Sequence, residues 1–403
     1  MGSGHDADNP ILGYQLIYIF RFLLASLNIQ AILQEPTLHR RQERLSNMTD
    51  GLGLEDVYGA TIERIKEQGG YKCRLGMGAL IWISYAERPL EVDELCHALA
   101  IDIGSANFNP ANIPSISTLV SCCQGLLTVD KEASNVRLIH FTLKEYFSAH
   151  PDIFSRPHST IAEICLTYLN SQKVKALSID PSTNPKPNST TLLRNKPFLK
   201  YCSLYWGVHA KRELSDRARS LALELFKEYK GHISAVILLG WELLGFFNMG
   251  PPFNGLHCAS LLGISELVAA LIATEKYDPN EKGVLGYAPL SWAAMKGHEE
   301  VVKVLLTLEE VDPNQLDVFG ESPLSLAASR GHKGVVKILV EREGVNLDEP
   351  NADGRTPLSV AAERGHEEVA KILLGRDEVY PTGQIIPAEH LCRMPLRMER
   401  RNW

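Results

Sequence analysis

The sequence predicts a mainly α-helical protein, in which a solenoid of four repeats follows a small α/β segment and a helical N-terminal region. Two observations carry this prediction. One block of residue types recurs every 34 residues between positions 286 and 366, with a weaker copy before it. Between positions 71 and 170, apolar runs of helical length are followed by two short strand-like runs.

The repeated block is found at 286–298, 320–332 and 354–366, and these ranges align without a gap. Each copy contains Pro-Leu-Ser, an Ala-Ala pair and a closing Gly-His. Proline suits the first position of a helix, paired alanines let two helices approach closely, and glycine permits the positive φ that ends a short helix. Leu256 and Gly263 mark the weaker copy one period earlier. Each copy therefore predicts a pair of short helices.

This pattern and its period are those of ankyrin repeats, which stack because one repeat alone cannot bury its apolar face. A fifth copy would place its Thr-Pro-Leu at 390–392, where the chain reads His390, Leu391 and Cys392. The frame therefore predicts four repeats, at 251–284, 285–318, 319–352 and 353–380.

Ankyrin stacks bind partners through hairpin tips and first helices, so the non-repeating residues at those positions are the candidate contacts. An aromatic row beside charged residues has the composition of an interface hot spot. Half-buried packing is the alternative for Leu326 and Val360. The predicted partner-binding residues are Leu285, Tyr287, Trp292, Phe319, Glu321, Leu326, Asp353, Arg355 and Val360.

Charge narrows the choice of partner. Residues 252–380 hold 12 Lys and Arg against 21 Asp and Glu, a balance of −9, while the whole chain has a net charge of −7. An acidic surface repels phosphate backbones, so we expect a basic or polar protein partner and no direct nucleic acid. We interpret His298, His332 and His366 as turn histidines that bond backbone, and predict no metal site.

The segment 71–170 has the pattern of a winged helix. Helices are predicted at 91–100 and 116–123, and the strands at 126–129 and 136–140 flank a polar turn. Some folds of this type bind DNA through a basic recognition helix, but 116–123 carries no Lys or Arg. We therefore expect a structural spacer rather than a DNA-binding domain.

Several runs in this region resemble a fungal family. They include Trp-Ile-Ser-Tyr-Ala-Glu-Arg-Pro-Leu at 82–90, His-Phe-Thr-Leu-Lys-Glu-Tyr-Phe at 140–147 and Tyr-Trp-Gly at 205–207. The chain is similar to the C-terminal portion of NACHT-type, NOD-like receptors that end in ankyrin repeats, and 11–70 resembles the last helices of the NACHT module. The resemblance implies an ATP- or GTP-binding P-loop upstream. The chain has no GxxxxGK[ST], and the stretch at 76–78 lacks the lysine.

The remaining segments complete the predicted organisation. Residues 11–27 are apolar but contain Arg21, so we expect a buried helix rather than a membrane span or a secretion signal. An irregular linker is expected at 171–197, a helical connector and cap at 198–250, and an unstructured tail at 381–403. The eight cysteines show no CxxC spacing and indicate free, packed thiols in a reducing compartment, which is the cytoplasm or the nucleus.

Catalysis has no candidate residues. There is no GxSxG nucleophile elbow, and His140 with Lys144 and Glu145 is expected to be a strand-to-helix junction. We expect a non-enzymatic scaffold or regulator without cofactor, metal or small-molecule substrate. The alternatives are a nuclear co-regulator of transcription, for example of a fungal secondary-metabolite gene cluster, that holds a transcription factor, and a truncated receptor of the NOD-like type.

Overall fold

The computed structural model describes two compact units, one formed by 1–176 with 189–218 and the other by 177–188 with 219–403. The features predicted for 11–27 and 381–403, and most of the linker at 171–197, lie outside the described residues. The described ranges are 36–41, 54–103, 105, 108–130, 132–177, 196–243 and 253–375.

Among its described residues, the regular structure of the first unit is helical apart from one hairpin. A single helical turn is present at 38–41. The helices are α1 (Leu54–Glu67), α2 (Gly70–Tyr85), α3 (Val92–Leu99), α4 (Ile116–Cys122), α5 (Thr142–Ala149), α6 (Pro157–Leu169), α7 (Gln172–Lys175) and α8 (Pro197–Arg212), with strands β1 (Leu127–Asp130) and β2 (Asn135–Leu138) between α4 and α5.

Helices α2, α3 and α4 and the hairpin form the predicted winged-helix arrangement. Strands β1 and β2 pair antiparallel, with Leu127 opposite Leu138, and Glu91 adds an isolated bridge to Asn135. Helix α3 begins with a capping box, in which the side chains of Glu91 and Glu94 accept bonds from each other's backbone N–H. The fold of this segment therefore agrees with the sequence pattern.

An aromatic cluster forms the core of the first unit. The Trp82 ring on α2 meets Phe198 and Tyr201 of α8 edge-on, at centroid distances of 5.4 and 5.5 Å. Helices α6 and α8 pack along each other, and Trp206 is fully buried on α8. Residues more than a hundred positions apart in sequence thus form one core.

The second unit contains the repeats and the helices that precede them. Helix α9 (Asp216–Phe226) spans the division between the units. It is followed by α10 (Ile233–Glu242), α11 (Gly255–Leu262), α12 (Ser265–Ile272), α13 (Pro289–Lys296), α14 (Glu299–Leu306), α15 (Pro323–Arg330), α16 (Lys333–Glu341), α17 (Pro357–Glu363) and α18 (Glu367–Leu374). The last eight form four helical pairs, as predicted.

Local chemistry explains where the repeat helices begin and end. The hydroxyls of Ser322 and Thr356 accept bonds from the backbone N–H groups that open α15 and α17, and proline follows each cap. Gly297 and Gly331 end α13 and α15 at φ values of 74° and 75°. A Cβ at Gly331 would lie 2.7 Å from the ring of His366, so this glycine is also needed for close packing.

The three turn histidines bond backbone, as the sequence predicted. Nε2–H of His298 donates to the carbonyl of Leu261 at 3.0 Å, and His332 does the same to Met295. His366 reaches the carbonyl oxygen of Ser329 at 3.2 Å. Each histidine therefore ties its own repeat to the preceding one.

The connector before the repeats packs on the first pair. The hydroxyl of Tyr277 donates to the carbonyl of Phe226 at 3.2 Å, and Cys258 Sγ lies 3.2 Å from the hydroxyl of Tyr229. The ring of Phe226 fills the space beside Gly255. Within the predicted helical connector, a 3-10 turn, Tyr229–Gly231, lies between α9 and α10.

Across the described residues, we find no helix with the length and apolarity to cross a bilayer.

Candidate protein-binding surface of the repeats

The three hairpin tips that the structure describes, at 283–287, 317–321 and 351–355, are each closed by the same backbone bond. The N–H of Gly283 donates to the carbonyl of Tyr287 at 2.9 Å, and Asp317 N–H does the same to Glu321 at 3.1 Å. In the second and third tips a side chain adds support. Asp317 Oδ1 accepts from the N–H groups of Phe319 and Glu321, both at 2.8 Å. The tips are therefore rigid turns rather than loose loops.

Successive tips are bonded to each other. Val318 N–H donates to the carbonyl of Leu285 at 3.0 Å, and Ala352 N–H donates to the carbonyl of Phe319 at 2.9 Å. A Cβ at Gly320 would lie 2.8 Å from the backbone nitrogen of Ala352, so only glycine allows this approach. The tips consequently form one continuous row.

Two apolar side chains stand out from this row. Val318 is 63% exposed and Phe319 is 53% exposed, although both are large hydrophobic residues. Asp353 and Arg355 are exposed on the next tip, and Leu285 is half-buried on the preceding one. We call these five residues, Leu285, Val318, Phe319, Asp353 and Arg355, the tip row.

Four of the predicted contact residues are buried, so the expectation that they are exposed is wrong. Trp292 has no exposed surface, and Tyr287, Leu326 and Val360 are 7%, 4% and 3% exposed. The Trp292 ring packs edge-on against Tyr287 at 4.9 Å and Phe253 at 5.9 Å. The position held by Trp292, Leu326 and Val360 faces the interior of the stack.

The sequence contained a signal against three of those four assignments. The position of Trp292, Leu326 and Val360 is apolar in all three aligned copies, which indicates a core site, whereas a partner-specific position would vary in polarity. Val318 was not among the predicted contacts. Its exposure beside Phe319 is visible only once the neighbouring tips pair.

Charged groups flank the tip row. Glu321 is half-buried and accepts a bond from Asn351 Nδ2 at 3.2 Å, while Arg355 forms an ion pair with Glu363 at 2.9 Å. Burial raises the pKa of the Asp317 carboxyl, whose Oδ2 has no hydrogen-bond partner. Burial, together with the nearby Asp317 and Glu321 carboxylates, raises the pKa of Tyr287 to about 12.

Asparagine side chains hold the loops that follow the second helices of the repeats. Asn280 Nδ2 donates to the carbonyl of Glu310 at 2.6 Å, and its Oδ1 accepts from the N–H of Asp312 at 2.9 Å. Asn314 repeats this arrangement with Gly344 and Asn346. These asparagine bonds therefore link the loops of successive repeats.

Other kinds of site find little support in the described part of the chain. Helix α4, the candidate recognition helix of the winged-helix segment, carries no basic residue. It therefore has no positive charge that could bind a phosphate backbone. No group of three His, Cys, Asp or Glu side chains that could hold a metal ion occurs among the residues described. The seven described cysteines are free thiols.

Comparison with known families agrees with both units. A model described as "Ankyrin repeats (3 copies)" matches residues 242–317 and 290–382. A second model, "GPI inositol-deacylase, winged helix domain", matches residues 68–156. A search of curated proteins found no match. The chain therefore contains ankyrin repeats and a segment similar to that winged-helix domain, which is of the kind associated with NACHT proteins.

Proposed function

We propose that this protein is a non-enzymatic scaffold or regulator that binds a protein partner through the tip row. The observation that carries the proposal is the exposure of Val318 and Phe319 side by side on rigid turns. An exposed aromatic residue on a preorganised support loses little conformational entropy on binding and buries a large apolar area. Ankyrin repeats indicate a protein partner in general.

A basic partner fits this surface best. The repeats carry an excess of nine acidic residues over positions 252–380. Arg355, the one basic member of the tip row, is already engaged by Glu363. An apolar centre with acidic surroundings favours a basic segment that also offers one aliphatic or aromatic side chain. A DNA-binding transcription factor and a basic signalling protein both have this chemistry, and the experiment below separates them.

The first unit serves as a structural spacer in this proposal. Its winged-helix segment presents no basic recognition helix, and its His140 side chain bonds Thr142 Oγ1 at 2.8 Å at the junction between β2 and α5. This hydroxyl also lies 2.8 Å from the hydroxyl of Tyr58, so the histidine helps to fix a turn.

The test is quantitative affinity capture from nuclear and cytosolic extracts with three forms of the full chain. These are the natural chain, a V318S/F319S double variant and an L374S control. Leu374 is 64% exposed on α18, so the control removes an exposed apolar side chain that is not part of the tip row. We expect at least one partner to be recovered by the natural chain and the control and to be depleted about tenfold or more by the double variant.

The extract from which that partner is recovered distinguishes a nuclear co-regulator from a cytosolic adaptor. A transcription factor from the nuclear extract would favour a co-regulator, and a cytosolic signalling protein would favour an adaptor derived from a receptor. Equal recovery of every partner by the double variant and the control would contradict the proposal. Measurable ATP or GTP turnover by the purified chain would contradict its non-enzymatic part.

A further inference from the structure

An apolar cavity in the first unit is not used by the proposed function. It has a volume of about 480 Å³ and lies between α2, α6, the end of α3 and the residues that follow α3. Ligand sites in proteins have volumes of about 300–1,000 Å³, so this cavity has the size of a small-molecule site. Its walls are mainly aliphatic and come from Met77, Ile81, Leu99, Ile101, Ile103 and Ile164.

Much of this apolar wall is open to solvent. The side chains of Met77, Ile81, Leu99 and Ile103 are only half-buried, although they face one common cavity. Such concave apolar surface is unfavourable in water, and covering it contributes about 25 cal/mol for each Å² removed from solvent. A ligand with an apolar body would therefore gain binding free energy by filling the cavity.

The shape of the cavity is fixed before any ligand binds. Gly78 adds no side chain to the wall, and a Cβ there would lie 2.8 Å from Leu99 Cδ2, so this glycine allows α2 and α3 to approach closely. After α3, the N–H of Ser105 donates to the carbonyl of Asp102 at 3.0 Å and holds the turn that carries Ile103. A preformed site loses little conformational entropy when it binds a ligand.

The polar groups at the cavity are already paired. The Arg74 guanidinium donates to the carboxylate of Asp102, whose second oxygen accepts from Asn112 Nδ2 at 3.3 Å. The Thr160 hydroxyl donates to the carbonyl of Arg156 at 3.0 Å. A charged ligand would lose its hydration here without meeting an unpaired opposite charge in the described lining, so an uncharged ligand is favoured.

We propose that this cavity binds a neutral, apolar small molecule with the bulk of about three aromatic rings. An apolar cavity of about 150 Å³ holds one benzene molecule, and this cavity is about three times as large. In this proposal the winged-helix segment is a ligand-binding module as well as a spacer. The proposal is independent of the tip row.

The test is a fluorescence titration of the full chain with two matched probes. The first is N-phenylnaphthylamine, a neutral molecule of three aromatic rings whose emission rises in apolar surroundings. The second is anilinonaphthalene sulfonate, which has the same rings and carries a negative charge. Because the probes share one apolar body, the difference between their Kd values reports the preference of the site for an uncharged ligand.

Two substitutions alter the cavity in different ways. Ile103→Asp places a charge in the apolar wall, and Thr160→Trp fills the space with a large side chain. Both positions are half-buried, and circular dichroism of each variant checks that the helices are kept. The control is Phe141→Ser, because Phe141 is 59% exposed in the same unit and lies outside the cavity lining.

We expect saturable binding of the neutral probe, with a Kd that rises about tenfold or more in each folded cavity variant and is unchanged in Phe141→Ser. The sulfonate should bind the natural chain about tenfold or more weakly than the neutral probe. Absence of saturable binding to the natural chain, or an unchanged Kd in a folded cavity variant, would overturn the site. An equal loss in Phe141→Ser would show diffuse apolar attraction and overturn it too, and equal affinity for the sulfonate would overturn the assignment to a neutral ligand.

Discussion

The two units of this chain are built from contacts of different sequence range. In the repeats, the helix caps and the turn histidines bond residues of the same or the neighbouring repeat, as His332 does with Met295. In the first unit, Trp82 packs on residues of α8 that lie more than a hundred positions further along the chain. The packing of a periodic sequence can therefore be predicted from the sequence itself, whereas the packing of a non-periodic core cannot.

The largest expected effects come from removing the buried tryptophan of each unit. Trp82→Ala and Trp292→Ala each delete a fully buried ring and should cost about 3–5 kcal/mol of the free energy of unfolding. Hydrogen exchange resolved by peptide should show lost protection in α6 and α8 for Trp82→Ala. For Trp292→Ala the loss should fall in α11 and α13.

The two variants serve as controls for each other. Loss of protection in both units from either single change would contradict the division into separate cooperative units.

The next largest effect is the loss of stability when a repeat glycine is replaced by alanine. Two glycines separate the cost of a positive φ from the cost of a steric clash. Gly331 and Gly365 share a φ of 75°, but a Cβ at Gly331 would meet the His366 ring at 2.7 Å while one at Gly365 would meet nothing within 4 Å. Gly365→Ala should cost about 1–2 kcal/mol for the left-handed conformation alone. Gly331→Ala should cost about 1–3 kcal/mol more, because it also displaces the histidine.

Chemical denaturation of the two glycine variants measures this difference. If the free energy of unfolding falls by the same amount in both variants, the close contact between repeats at Gly331 does not contribute to stability.

Acid should weaken the repeats through His257. Burial lowers the pKa of this side chain to about 4, and its neutral ring donates from Nε2 to the carbonyl of Glu281 at 2.8 Å. Between about pH 6.5 and 4 the unfolded chain binds a proton that the folded chain does not. The free energy of unfolding should therefore fall with decreasing pH, by on the order of 3 kcal/mol at pH 4 from this group.

Denaturation of the natural chain and a His257→Gln variant across that pH range tests the assignment. The variant should lose less stability on acidification than the natural chain, although it is less stable at pH 7. Parallel pH profiles would show that another group causes the acid sensitivity.

The repeat frame was predictable because its signals are local. Four helical pairs, their caps and the backbone-bonding histidines all follow from residues within one 34-residue period. The winged-helix arrangement was predictable from helix-length and strand-length runs. Trp292 was misassigned although its position is apolar in all three aligned copies, which indicates a core site.

The contact between His158 and His209 could not be predicted from the sequence. Their Nδ1 atoms lie 2.9 Å apart, although the two residues are 51 positions apart in the chain. Only the packing of α8 against α6 brings them together.

The smallest effect on stability should come from the tip row, and here binding is the useful readout. Phe319→Ala removes a side chain that is 53% exposed, so it should change the free energy of unfolding by no more than about 0.5 kcal/mol. The decisive measurement is the Kd of the captured partner for the natural chain, Phe319→Ala and the exposed control Leu374→Ala. The account predicts a Kd about 30-fold higher for Phe319→Ala alone, the expected loss for an interface hot spot. An unchanged Kd for Phe319→Ala, with the partner still bound by the repeats, would contradict it.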